Sequence, residues 1–148
     1  MVQILKGSLR LTLDGYEGNP EQMGNIDTVY EFLKSCSGKI GMAAKMEKPY
    51  AFKYHNLKVP ENWGVSGFVL LKDPGVHISI HTFPDRGYVS LDIFSTKGFD
   101  HIPALEYVTE VFGLKRSEFN LLDKGQEFPR EISEVVRQMK EAREKMRK

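Results

Sequence analysis

The 148-residue sequence predicts an α+β fold, a two-layer sandwich with helices on one face of an antiparallel sheet, plus an extra C-terminal amphipathic helix. Segments of period-two alternation recur along the chain, the mark of strands with one buried face. Two links between successive strands, Asp73-Pro74-Gly75 and Pro84-Asp85-Arg86-Gly87, have the chemistry of tight turns. Links that short impose antiparallel pairing, because a parallel pair needs a long crossover. Between and after the strands, apolar residues return at helical spacing and supply a second layer.

The elements follow in order. Ser8, Arg10, Thr12 and Asp14 alternate with Leu9, Leu11 and Leu13, a half-buried strand. Residues 15–24 are rich in Gly, Asn and Pro and read as a loop. Ile26, Val29, Tyr30, Leu33 and Cys36 predict a helix with Asn25 as N-cap and Gly38 as its stop. Ile40, Met42, Ala44 and Met46 predict a second strand ending near Pro49, and residues 48–63 an aromatic-rich loop or irregular edge strand. Three strands follow at 65–72, 76–83 and 88–95. Pro103 suits the first turn of a helix that buries Leu105, Val108 and Phe112 and stops at Gly113. Residues 119–122 predict a last strand. Ile132, Val135, Val136, Met139, Ala142 and Met146 place an apolar stripe on a final helix. Residues 1–125 then form the main domain and 126–148 a helical extension.

Hydrophobic residues at 41% and charged residues at 28% describe an ordinary soluble chain able to bury a core without disulfides or metal. A net charge of +1 provides no global field for nucleic acid or an acidic membrane, and neither partner is expected. The single cysteine, Cys36, forms no internal disulfide, so a reducing, cytoplasmic setting is expected. The first ten residues are too short and too interrupted by charge for a signal peptide, and no window is long and apolar enough for a membrane helix.

Alternation puts His77, Ser79 and His81 on one face of their strand, with Ser90 and Asp92 available from the next. Such a row is either a solvated face or the floor of a site. His77 and His81 are poor metal ligands, since four strand residues span about 13 Å. No metal is expected.

The residues around this row carry a resemblance. Gly64-Val65-Ser66-Gly67 is followed by His77-Ile78-Ser79-Ile80-His81-Thr82-Phe83-Pro84-Asp85, then Gly87-Tyr88 and Asp92-Ile93-Phe94-Ser95-Thr96. In order and spacing this resembles the prokaryotic S-adenosylmethionine decarboxylases of polyamine and spermidine biosynthesis. These carry G-V-S-G, a strand ending E-S-H, H-[IL]-[ST]-I-H-T-W-P-E, G-Y and D-V-F-T-C-G. The match runs from Ser66 to Thr96, with about two extra residues at the 73–75 turn. The resemblance implies a proenzyme in which a serine attacks the preceding carbonyl. The resulting ester eliminates, and the new chain begins with a pyruvoyl group, an electron sink for decarboxylation.

Two departures fall on the reactive positions. The pyruvoyl-forming serine corresponds to Val76, which has no hydroxyl, and the cysteine that resembles the proton donor corresponds to Thr96, a poor acid near neutrality. Ser66 and His81 match the processing serine and histidine, and Asp85 replaces the family glutamate on a shorter arm. His77, Phe83 and Asp92 are the remaining candidates for contact with a ligand. Phe83 stands where the family has tryptophan.

The expectation is a family homologue without self-processing, pyruvoyl cofactor or decarboxylase activity. It would act as a metabolite-binding, regulatory or partner protein. S-adenosylmethionine or a related small molecule is the expected ligand, and a homodimer or a pair with a paralogue the expected assembly. Two other readings stay open: an active decarboxylase, and an enzyme of different chemistry on the floor of His77, His81, Asp85 and Asp92. The aromatic residues Tyr50, Phe52, Tyr54 and Trp63 either stack a purine ring or pack a loop onto the sheet. Residues 130–148 hold seven basic and four acidic side chains, a mixture typical of a solvated helix face with pairs such as Glu141 and Lys145.

Overall fold

The computed structural model describes residues 7–41, 45–72, 75–124 and 141–146. Its elements are β1 (Ser8–Tyr16), α1 (Pro20–Met23), α2 (Ile26–Lys39), β2 (Lys45–Met46), β3 (Tyr50–Tyr54), β4 (Gly64–Lys72), β5 (Val76–Phe83), β6 (Tyr88–Ser95), α3 (Ile102–Phe112) and β7 (Arg116–Lys124). The strands form one seven-stranded sheet in the order β2-β4-β5-β6-β1-β7, with β3 also paired to β4. Every pairing is antiparallel. The α+β class and the antiparallel sheet hold as predicted.

The helices pack on one face, where Leu9, Leu11 and Leu13 of β1, Ile78 and Ile80 of β5, and Leu91 and Ile93 of β6 meet Val29, Phe32, Leu33, Val108 and Phe112. The alternation in β5 and β6 is strict, buried residues giving way to exposed or half-exposed ones at each step. Phe32 sits at the junction of the helices, stacked on Tyr107 and tilted against Phe112. Burying one such side chain contributes about 1.5–3 kcal/mol.

Several boundaries differ from expectation. The predicted loop at 15–24 contains α1, which starts because Asn19 caps it, its Oδ1 accepting from the Glu21 and Gln22 amides. Asn25 caps α2 as predicted. Gly38 does not stop that helix: the Ile40 amide still donates to the Cys36 carbonyl, and buried Ile40 anchors the last turn. At this end of α2 the residue with positive φ is Gly41. Ile40 is therefore a helix cap and not part of the predicted second strand; of that strand, residues 45–46 are observed and 42–44 lie outside the described residues. The region 48–63 contains a regular edge strand, β3, and a single 3-10 turn at Pro60–Asn62. The last strand is longer than its apolar stretch implied, because all nine residues pair with β1. Of the predicted C-terminal helix, 141–146 is helical and exposed, while residues 125–140 and 147–148 lie outside the described residues.

Candidate functional site

Among the described residues the helices leave the other face of the sheet open, and the strand registers arrange its side chains in cross-strand rows. One row runs Leu122, Arg10, Phe94, His77, Leu70. The next runs Asn120, Thr12, Asp92, Ser79, Phe68, Tyr50, and the third Glu118, Asp14, Ser90, His81, Ser66, Phe52. A fourth, at the end where β5 turns into β6, runs through Arg116, Tyr16, Tyr88, Phe83 and Tyr54.

The third row brings two predicted residues together. Ser66 and His81 are register partners, and Ser66 Oγ lies 2.6 Å from His81 Nδ1, hydrogen-bonding distance. Ser66 is buried and His81 exposed, so the imidazole stands between the hydroxyl and the open face. Next to His81, the Thr82 side chain points the other way into the core. Its hydroxyl donates to the Met23 carbonyl at 2.7 Å and accepts from the Val65 amide at 3.0 Å. That one hydroxyl ties α1, β4 and β5 together beside the pair.

The fourth row is a ladder of rings. Phe83 stacks on Tyr88 at 5.5 Å and meets Tyr54 edge-on at 5.8 Å. Tyr88 stacks on Tyr16 at 5.6 Å, and the Arg116 guanidinium lies 4.3 Å from the Tyr16 ring centre. Gly64 makes the Tyr54 contact possible. A Cβ there would fall 1.7 Å from the Thr82 carbonyl oxygen, to which the Tyr54 hydroxyl donates at 2.5 Å. Burial pushes the Tyr54 phenol up to about 12. Tyr88 is also pushed up to about 12, first by burial and then by its hydrogen bond to Asp14.

The remaining predicted residues do not join the Ser66–His81 pair. His77 lies two rows away, stacked on Phe94 at 5.4 Å. Asp92 takes a bidentate ion pair from Arg10, whose guanidinium is held further into its charged form by that contact. Asp85 is exposed in the 3-10 turn Pro84–Arg86. Val76 is 4% exposed, its side chain in the core at the start of β5. Thr96 is exposed just beyond β6, and its amide donates to the Gly75 carbonyl at 2.9 Å. Val76 and Thr96, the two departures that the sequence resemblance implies, thus sit together at the end of the sheet opposite the ring ladder. They line a depression of about 670 Å³ with His77, Phe94, Leu70 and the Glu47–Lys72 ion pair.

The aromatic set from β3 divides. Tyr50 packs against Phe52 and Phe68 on the open face, while Trp63 lines a separate depression with His55, Leu57 and Pro60. Among the described residues no three His, Cys, Asp or Glu side chains are grouped to hold a metal ion, and no helix is long and apolar enough to cross a membrane. Arg10, Asp14, Tyr16 and Tyr88 were missed as site residues. The signal for the first three was the polar side of β1, a charged or aromatic residue at alternate positions.

Residues 9–125 match the S-adenosylmethionine decarboxylase family. The chain is 32% identical to the S-adenosylmethionine decarboxylase proenzyme of Thermococcus gammatolerans over 109 residues, 72% of this chain and 68% of that one. It is 26% identical to the proenzyme of Persephonella marina over 118 residues, 79% and 81% of the two chains. The fold superposes on the crystal structure of the adenosylmethionine decarboxylase from Aquifex aeolicus with a TM-score of 0.66 at 22% identity, covering 85% of this chain and 95% of the other. The chain belongs to the S-adenosylmethionine decarboxylase family.

Proposed function

We propose that this chain is a family member that neither cleaves itself nor decarboxylates, and that it acts by binding a small molecule or a partner chain. The observation that carries this reading is Val76. It occupies the position the family resemblance assigns to the pyruvoyl-forming serine, and its side chain is an alkyl group in the core. An N-to-O acyl shift needs a hydroxyl on that residue, and valine offers none. The residues present therefore do not fit a pyruvoyl group. Thr96 supports the same reading, since an alcohol is a far weaker acid than the thiol it replaces. Cys36 does not compensate: it is buried in α2, where burial pushes its thiol up to about 12.

The depression beside Val76 and the ring ladder remain as surfaces for a ligand such as S-adenosylmethionine or a relative of it. Incubation with carboxyl-labelled S-adenosylmethionine tests the proposal. The expected result is carbon dioxide release no faster than in buffer, with any binding seen as a raised melting temperature. Catalytic release that is abolished by trapping with cyanoborohydride contradicts it.

A further inference from the structure

Trp63, the chain's single tryptophan, lines a depression of about 570 Å³ with His55, Asn56, Leu57 and Pro60. That volume falls in the range of about 300–1,000 Å³ usual for small-molecule sites. The depression lies apart from the open face. On β3 the Tyr54 ring turns to that face and meets Phe83, whereas its neighbour Lys53 points to the opposite side. The Trp63 indole reaches the same side as Lys53. A Cβ on Gly24, the cap of α1, would fall 2.8 Å from it.

The walls are held in place by hydrogen bonds of the loop itself. Asn56 Oδ1 accepts from the Lys58 and Val59 amides at 3.0 and 2.9 Å. Asn62 Oδ1 accepts from Arg86 Nε at 2.7 Å, and the Trp63 amide donates to the Pro60 carbonyl at 3.3 Å. The loop is thus tied both to itself and to the turn after β5, which lowers the cost of ordering it around a ligand. Leu57, 97% exposed, completes the lining with a bare apolar side chain.

Shape and charge together select the ligand. Trp63 and Pro60 offer flat apolar surface to a planar ring. The polar groups are donors: with Oδ1 engaged, Asn56 has its NH2 left to give, and the Lys53 ammonium stands 5.9 Å from the Trp63 ring centre. Among the described residues no carboxylate lines the depression. A ring in contact with the indole, at about 3.5–4 Å, would lie beneath that ammonium. The flexible lysine stem then swings the charge to an anion at the ring's edge. We infer that this depression binds an aromatic ring carrying an anionic group, of the class of a nucleoside monophosphate. The base stacks on Trp63, and Lys53 pairs with the phosphate. The site is independent of the non-processing reading and of any ligand on the open face.

Calorimetric titration of the full chain with adenosine 5′-monophosphate is the test, with quenching of the lone tryptophan as a second readout. The expected result is one nucleotide per chain, a Kd below about 1 mM, and quenching that saturates with it. Adenosine, which lacks the anion, and ribose 5-phosphate, which lacks the ring, should each bind at least about 10-fold more weakly. Lys53→Met should lower the affinity for the monophosphate to that for adenosine and leave adenosine as it was. Trp63→Leu should cost about 10-fold or more. Trp63→Phe, which keeps a ring against Gly24, should recover part of that loss, and circular dichroism reports folding. His81→Ala, on the open face, should leave binding unchanged. No saturable heat with the monophosphate overturns the inference. So does adenosine or ribose 5-phosphate that binds as tightly, and so does a folded Lys53→Met chain that binds the monophosphate unimpaired. Binding lost in a folded His81→Ala chain puts the nucleotide on the open face and overturns it as well.

Discussion

Ser66 Oγ and His81 Nδ1 stand 2.6 Å apart as register partners on β4 and β5, while Val76, at the start of β5, is buried with no hydroxyl to offer. On the proposed reading, Ser66 and His81 are the reactive pair the chain keeps, and Val76 and Thr96 stand where the resemblance expects a serine and a cysteine.

Removing the imidazole leaves a buried hydroxyl without its partner. His81→Ala is expected to cost about 1 kcal/mol in urea unfolding, and Ser66→Ala about the same or less, because His81 is exposed and water can replace its lost contact. A loss above about 3 kcal/mol for either would mean the pair is a main support of the fold.

Thr82 is a stronger structural element than either. Thr82→Val keeps the shape but orphans the Val65 amide and Met23 carbonyl, both buried against the hydroxyl. The expected cost is about 1–3 kcal/mol by thermal or urea melt, with Thr82→Ser recovering most of it. A larger loss for Thr82→Ser than for Thr82→Val would assign the effect to the methyl group instead.

Gly64 permits the close approach of β4 to the Thr82 carbonyl. Gly64→Ala places a Cβ 1.7 Å from that oxygen, so the backbone must move, and destabilisation of about 3 kcal/mol or more is expected. Tyr54→Phe, which removes only the hydroxyl donating to the same carbonyl, should cost about 0.5–1.5 kcal/mol. If Gly64→Ala melts like the unmodified chain, the pairing at this end of the sheet is looser than described.

Alkaline pH should unfold the chain. Cys36 rises from 9.0 to about 12 in the fold, and Tyr54 and Tyr88 from 10.0 to about 12. Each is held protonated, so between these limits the unfolded state binds fewer protons than the folded one. Stability is full below pH 9, falls from pH 9 through 12, and first falls through Cys36. Cys36→Ala should flatten the early part of that decline in urea midpoints measured against pH. A decline that starts at pH 9 regardless of Cys36 would assign it elsewhere.

Much of this fold was legible in the residues. The bounds of β5 and β6 follow from alternation because one face of each is fully buried, and a shift by one residue would expose Ile78, Ile80, Leu91 and Ile93. Ser66 and His81 were found through the motif strings, and register alone then joins them. The rest depended on partners distant in sequence. The β3 strand has no buried side chain among Tyr50–Tyr54, so its pattern gave little sign of pairing. Gly38 looked like a helix stop because its neighbour Ile40 reads equally well as a strand residue. Asp92 looked free until β1 brought Arg10 beside it, 82 residues away in the chain.

The most direct measurement is the intact mass of the purified, denatured protein. One species at the full 16.9 kDa of the 148-residue chain is expected. Two fragments divided before Val76, the downstream one with a blocked N-terminus, would contradict it and restore a self-processing decarboxylase.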